Sequence, residues 1–195
     1  MAPNQYAGLN EAADSKLRVE TQKALLQVKT WPPRDSGAQN KHAAEYASII
    51  ARDPGKAWVD MAGTGVCWDG VMHCALKTGI IGENKVRTVN ARDVMVTVYD
   101  SRVSNANQLR NLGAGMVLGF FSGTTKEPVH VMLTTGQNRA AGMKNNCVGI
   151  GDPYSWQELD LAGLSWEDGK IRSPLQPAHG LLTLRYREIS RVGNL

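Results

Sequence analysis

Gly63-Thr64-Gly65-Val66-Cys67-Trp68-Asp69-Gly70-Val71 is the stretch on which the reading of this chain turns. A glycine-rich turn runs into a segment whose Val71, Cys74, Ala75 and Thr78 share one stripe before Gly79. The spacing therefore predicts a helix that opens near Cys67 and stops at a C-terminal glycine. A thiol at a helix N-terminus faces unpaired backbone amides and the positive end of the helix dipole, both of which favour thiolate. Cys67 is thus the candidate nucleophile, and the backbone at Gly65 and Val66 supplies candidate donors to a developing oxyanion. The competing reading is a small packed cysteine after a turn, since free cysteine is among the most buried residue types. Cys74, seven positions on, reads as core; His73 points away from Cys67 and reads as exposed or as a local cap.

On the N-terminal side, Leu17, Ala24, Leu25 and Val28 give helical periodicity over residues 9–29, ended by Trp31-Pro32-Pro33. A second helix is expected over residues 41–52, burying Ala43, Ala44, Ala47 and Ile50, and closed by Asp53-Pro54-Gly55. Residues 90–112 fit one or two helices or a strand over 94–99. From Gly115 the pattern changes. Residues 116–121, 129–134, 147–150 and 181–186 are apolar or alternating runs separated by turn residues, which read as an antiparallel sheet. Helices first and sheet second is an α+β order. One domain over 1–195 is expected, with a helical part at 1–55, the nucleophile helix and a connecting segment at 56–113, and the sheet at 114–195.

Composition narrows the function classes. A hydrophobic share of 42% against 21% charged residues suits a globular core rather than disorder. Three cysteines, Cys67, Cys74 and Cys147, without a Cys-x-x-Cys spacing give neither a disulfide framework nor structural zinc. No metal or other cofactor is expected. The net charge of +4 is a mild, scattered bias that does not point to nucleic acid. Arg185, Arg187 and Arg191 read as the polar face of a strand more readily than as a phosphate patch. No apolar run is long enough to span a bilayer, and the opening residues carry no secretory leader, so a soluble protein is expected. Secretion without a cleaved signal would leave the same pattern.

His130 is the natural partner for the thiol, because an imidazole on a rigid strand can take its proton and return it to a leaving group. Alternation places His130 on the face opposite Val129 and Val131. Asp152, in Gly151-Asp152-Pro153-Tyr154, is the candidate third member; the same stretch also makes a good turn. Asn145 and Asn146 are the alternatives, with Asp160 and Asp168 next. Trp68 and Trp156 are candidate borders of the site.

Gly65-Val66-Cys67-Trp68 at a helix start, a histidine on a later strand and a polar residue after the next strand resemble the papain-like cysteine hydrolases. The likeness covers roughly residues 63–156. It implies a papain-like α+β fold, with the nucleophile helix packed on a C-terminal antiparallel sheet, and a Cys67, His130, Asp152 triad. It further implies a first strand over 131–135, a hairpin over 136–145 and a second strand over 147–151. Met61 stands where papain carries its oxyanion glutamine. That departure resembles the compact effectors and toxins that bacteria deliver into other cells. The resemblance then implies a thiol amidohydrolase acting on a protein or peptide amide, as a glutamine or asparagine deamidase or a limited protease. Alternatives are a cell-wall peptide amidase, a transglutaminase-like acyl transferase and a non-enzymatic interaction module. A cognate immunity or inhibitor protein is the further partner it implies.

Overall fold

The computed structural model describes residues 35–52, 67–86, 89, 94, 101–123, 128–143, 148, 156–172 and 180–194. The helix expected over 9–29 and the strand expected over 147–151 lie outside the described residues, Val148 excepted. What is described is an α+β unit: a helical layer packed on one face of an antiparallel sheet that curls over its own second core.

Helix α1 (Ser36–Ala51) starts earlier than the apolar pattern indicates, because Asp35 caps it by accepting the Ala38 amide at 2.8 Å. Its alanines let the backbone lie close to the sheet: Ala43 and Ala47 are wholly buried, with Ile50 beside them. Helix α2 (Cys67–Lys77) begins at the candidate nucleophile and ends as its sequence requires. Gly79 takes φ +74°, the Gly79 amide donates to the Leu76 carbonyl, and the Ile80 amide reaches back to Ala75 at 2.9 Å, a Schellman closure. Short helices α3 (Glu83–Val86) and α4 (Ala106–Arg110) follow.

The strands are β1 (Arg102–Val103), β2 (Met116–Ser122), β3 (His130–Gly136), β4 (Arg139–Gly142), β5 (Gln157–Asp160), β6 (Trp166–Glu167), β7 (Lys170–Arg172) and β8 (Leu181–Glu188), and a 3₁₀ helix (Ile189–Asn194) follows β8. They form one sheet in the order β5-β4-β3-β2-β8-β7-β6, with β1 also on β8. The expected long hairpin after β3 is corrected: Gln137 (φ 52°) and Asn138 (φ 63°) make a two-residue turn, and the chain returns at Arg139. Asp168 (φ 48°) and Gly169 (φ 73°) make another between β6 and β7.

Alternation sorts the sheet into two faces. Val117, Phe121, Val131, Leu133 and Ala141 meet α1 and α2 in one core, which also takes Ile189 and Val192. Leu118, Phe120, Met132, Leu182 and Leu184 build the other. That second core also holds Leu159 of edge strand β5 and Ile171 of β7, so the sheet is curled, bringing opposite flanks together. Arg185 and Arg187, expected on a solvated strand face, instead enter the helix side. Arg185 lies 5.1 Å from the centroid of the Phe121 ring, and Arg187 donates to the Val94 carbonyl at 3.1 Å.

Candidate functional site

The N-terminus of α2 meets the start of β3. Cys67 is half-buried against the helix-side core, and the Val131 amide points at its sulfur, together with the amides of Trp68 and of Cys67 itself. These donors favour thiolate, as the sequence indicates for a helix start. They do not prevail. Burial acts most strongly and holds the thiol pKa above its usual 9.0, and the Asp69 carboxylate pushes the same way. The expectation of a depressed thiol pKa is thereby corrected: desolvation outweighs the helix terminus.

Two tryptophans fix this corner. Trp68 donates its indole N–H to the Val89 carbonyl at 3.1 Å and Trp156 donates to Ala47 at 3.0 Å; both side chains are buried. They pack the helix layer, and both had been candidate borders of the site. Gly70, one turn into α2, exists for Trp156: a Cβ there would lie 2.8 Å from Trp156 Cε3 and nearer still to Cζ3. His73 is neither exposed nor a cap, since its Nε2 lies 3.0 Å from the Tyr46 hydroxyl on α1. Cys74 is fully buried core, as read from the sequence.

His130 is the first residue of β3 and is 1% exposed. It pairs directly with Phe120, and the two rings lie 5.6 Å apart between centroids. Phe120 belongs to the second core, whereas the thiol reaches β3 from the Val131 face. Thiol and imidazole therefore approach the same strand end from opposite faces.

The remaining candidates divide simply. Gly65, Val66, Asn145, Asn146 and Asp152 lie outside the described residues. Asp160 is exposed and accepts the Ala162 amide at 2.9 Å, and Asp168 is exposed in the β6–β7 turn; both serve local turns rather than His130. Among the described residues no group of three histidine, cysteine or acidic side chains can hold a metal ion, and no helix is long and apolar enough to cross a membrane. What the sequence reading missed is the Val131 amide as partner of the thiol. A β3 backbone group next to His130 is a tertiary neighbour that no spacing announces.

Comparison with protein-family models, with curated proteins and with solved structures returns no match for this chain.

Proposed function

We propose that the chain is a thiol amidohydrolase of papain-like type that uses Cys67 as nucleophile on a protein or peptide amide. One observation carries this reading: Cys67 opens α2 with its sulfur against the Val131 amide, one residue from His130. The sulfur would bond to the amide carbonyl carbon, its proton passing through His130 to the departing nitrogen, and water would then release the acid from the thioester. His130 would serve as base only with its ring turned from Phe120 toward the thiol. Its place as the first residue of β3 is where such a turn is least costly. Asp152 would orient the imidazole. Deamidation of a side-chain amide and limited proteolysis share this chemistry and differ in the leaving nitrogen.

A second reading has its own support. The raised thiol pKa and the contact of His130 with Phe120 suit an interaction module in which Cys67 is packed.

Alkylation followed by mass spectrometry decides between them. The enzyme reading expects Cys67 to be modified by iodoacetamide well ahead of Cys74, and incubation with a proteome to change the intact mass of specific proteins in a manner lost in Cys67→Ser and in His130→Ala. Equal labelling of both cysteines and no Cys67-dependent mass change would leave the module reading standing.

A further inference from the structure

We propose that Glu158 and Trp156 form a clasp between β5 and α1 that sets access to Cys67 and opens when the Glu158 carboxylate is protonated. The inference concerns the reach of a reagent or substrate to the sulfur, and it holds whether or not the thiol is catalytic.

Strand β5 (Gln157–Asp160) is four residues long and ends the sheet beside β4. A strand so short is held in good part by what its side chains reach. Two adjacent residues of α1 receive it. The Ser48 hydroxyl donates to Glu158 Oε1 at 2.7 Å, and the Ala47 carbonyl accepts the Trp156 indole N–H at 3.0 Å. Trp156 in turn lies over Gly70, where a Cβ would be 2.8 Å from its Cε3. Gly70 follows Cys67 by three residues, which makes the two positions neighbours on the surface of α2, and Cys67 packs against the same core that holds Trp156. Contacts thus lead from Glu158 through α1 and the indole to the turn that carries the thiol.

Glu158 is the member of this series that can change state. Its side chain is 13% exposed, and Arg139 of β4 brings a guanidinium nitrogen to 3.3 Å from Oε2. Among the described residues, Ser48 and, at the C-cap of α1, Arg52 also act on it, as does the nearby Thr135 hydroxyl of β3. Glu45 and Lys41, one and two turns before Ser48 on α1, are exposed. Asp160, on the same face of β5, is exposed and accepts the Ala162 amide. Burial raises the Glu158 pKa, and the hydroxyls and guanidinium charges lower it by more. The carboxylate is therefore charged at neutral pH, and its hold on α1 and β4 is lost as pH falls through the lowered value. A neutral carboxyl still accepts from Ser48, but without the charge that strengthens the bond and attracts the arginines.

The test labels the full chain with 4,4′-dithiodipyridine, which reacts with thiols in acid as well as at neutrality, and reads Cys67 and Cys74 separately by peptide mass. Taking the ratio of the Glu158→Gln rate to the wild-type rate at each pH cancels the pH dependence of the thiol itself. At neutral pH the Cys67 ratio is expected to be roughly five- to tenfold, the difference between a charged and a neutral hydrogen bond. It should fall to about one where wild-type Glu158 becomes protonated. Trp156→Phe lacks the indole N–H, so it should raise the Cys67 rate by itself and leave Glu158→Gln little to add. Cys74, fully buried further along α2, should stay slow throughout and so mark the opening as local. A ratio of one at neutral pH, a ratio unchanged in acid, a full Glu158→Gln effect in the Trp156→Phe background, or Cys74 labelling that rises in step with Cys67 would each overturn the proposal.

Discussion

Replacing Gly70 by alanine sets two opposing effects against each other, and the structure decides the sign. In a helix interior, alanine is favoured over glycine by about 1 kcal/mol. Against that, the new methyl would sit 2.8 Å from Trp156 Cε3 and closer to Cζ3. Trp156 cannot swing aside cheaply, being 3% exposed and tied through its indole N–H to the Ala47 carbonyl. Overpacking of a closed core costs about 1–3 kcal/mol, and a neighbour held at both ends belongs at the upper limit. The expected net loss is about 2 kcal/mol, or roughly 4–8 °C in Tm for a chain of this length. Urea and thermal unfolding would measure it. In a Trp156→Phe background the outer indole ring is gone, so most of the penalty should vanish, giving a coupling energy of about 1 kcal/mol or more between the two sites. Cys67, one turn away, should also become easier to alkylate in Gly70→Ala as the first turn of α2 shifts. A Gly70→Ala protein as stable as wild type or more so, the result helix propensity alone would give, would refute the placement of Trp156 and with it the described geometry of the α2 N-terminus.

The raised Cys67 pKa predicts that its iodoacetamide rate climbs with pH through neutrality without a plateau, with a midpoint above 9.0. Asp69→Asn should move that midpoint downward; a plateau near neutrality would show that the amide donors, not burial, dominate. At Glu158, burial raises the carboxyl pKa, but the nearby Thr135 hydroxyl, the hydrogen bond from Ser48 and the charges of Arg139 and Arg52 more than offset it, so the net shift is downward. The sign follows: this stabilisation is complete above the ordinary carboxylate range and is lost as pH falls through the lowered folded value. Wild type should therefore lose more stability on acidification than Glu158→Gln, as read by urea unfolding at stepped pH, and parallel curves would contradict it. Gly115 has φ +82°, and a Cβ there would lie 2.6 Å from the Asn40 Cα, a backbone atom that cannot yield. Gly115→Ala is expected to cost about 3 kcal/mol or more, combining positive-φ strain with overpacking, and a loss under about 1 kcal/mol would show that the α1 to sheet contact is looser than described.

Local signals carried a good part of this architecture. Gly79 ended α2 because a left-handed closure needs a residue without Cβ. The runs at 116–121, 129–134 and 181–186 became β2, β3 and β8 because continuous apolar stretches suit strands buried on both faces. Strands β4 to β7 escaped, being two to four residues long, although Asp168-Gly169 was a readable hairpin turn. The candidate site was legible only as a set of residues. Alternation correctly put His130 opposite Val131; which face receives α2 is decided by tertiary packing. The same holds for the thiol pKa, since a helix terminus is visible in sequence and the depth at which it is buried is not.

Helix α1 touches parts of the chain far behind it in synthesis. Ser48 donates to Glu158 at 2.7 Å, the Ala47 carbonyl receives Trp156, and Asn40 accepts the Ser190 amide at 3.0 Å, spanning up to 150 residues of separation. An early-emerging segment that completes its docking only on residues 156–190 keeps the polar groups that meet them unpaired until those residues are made. Such long-range closure slows folding and exposes intermediates to association. The ribosome-bound chain should therefore stay protease-sensitive in α1 until the residues around Ser190 have left the exit tunnel, and gain protection in a single late step.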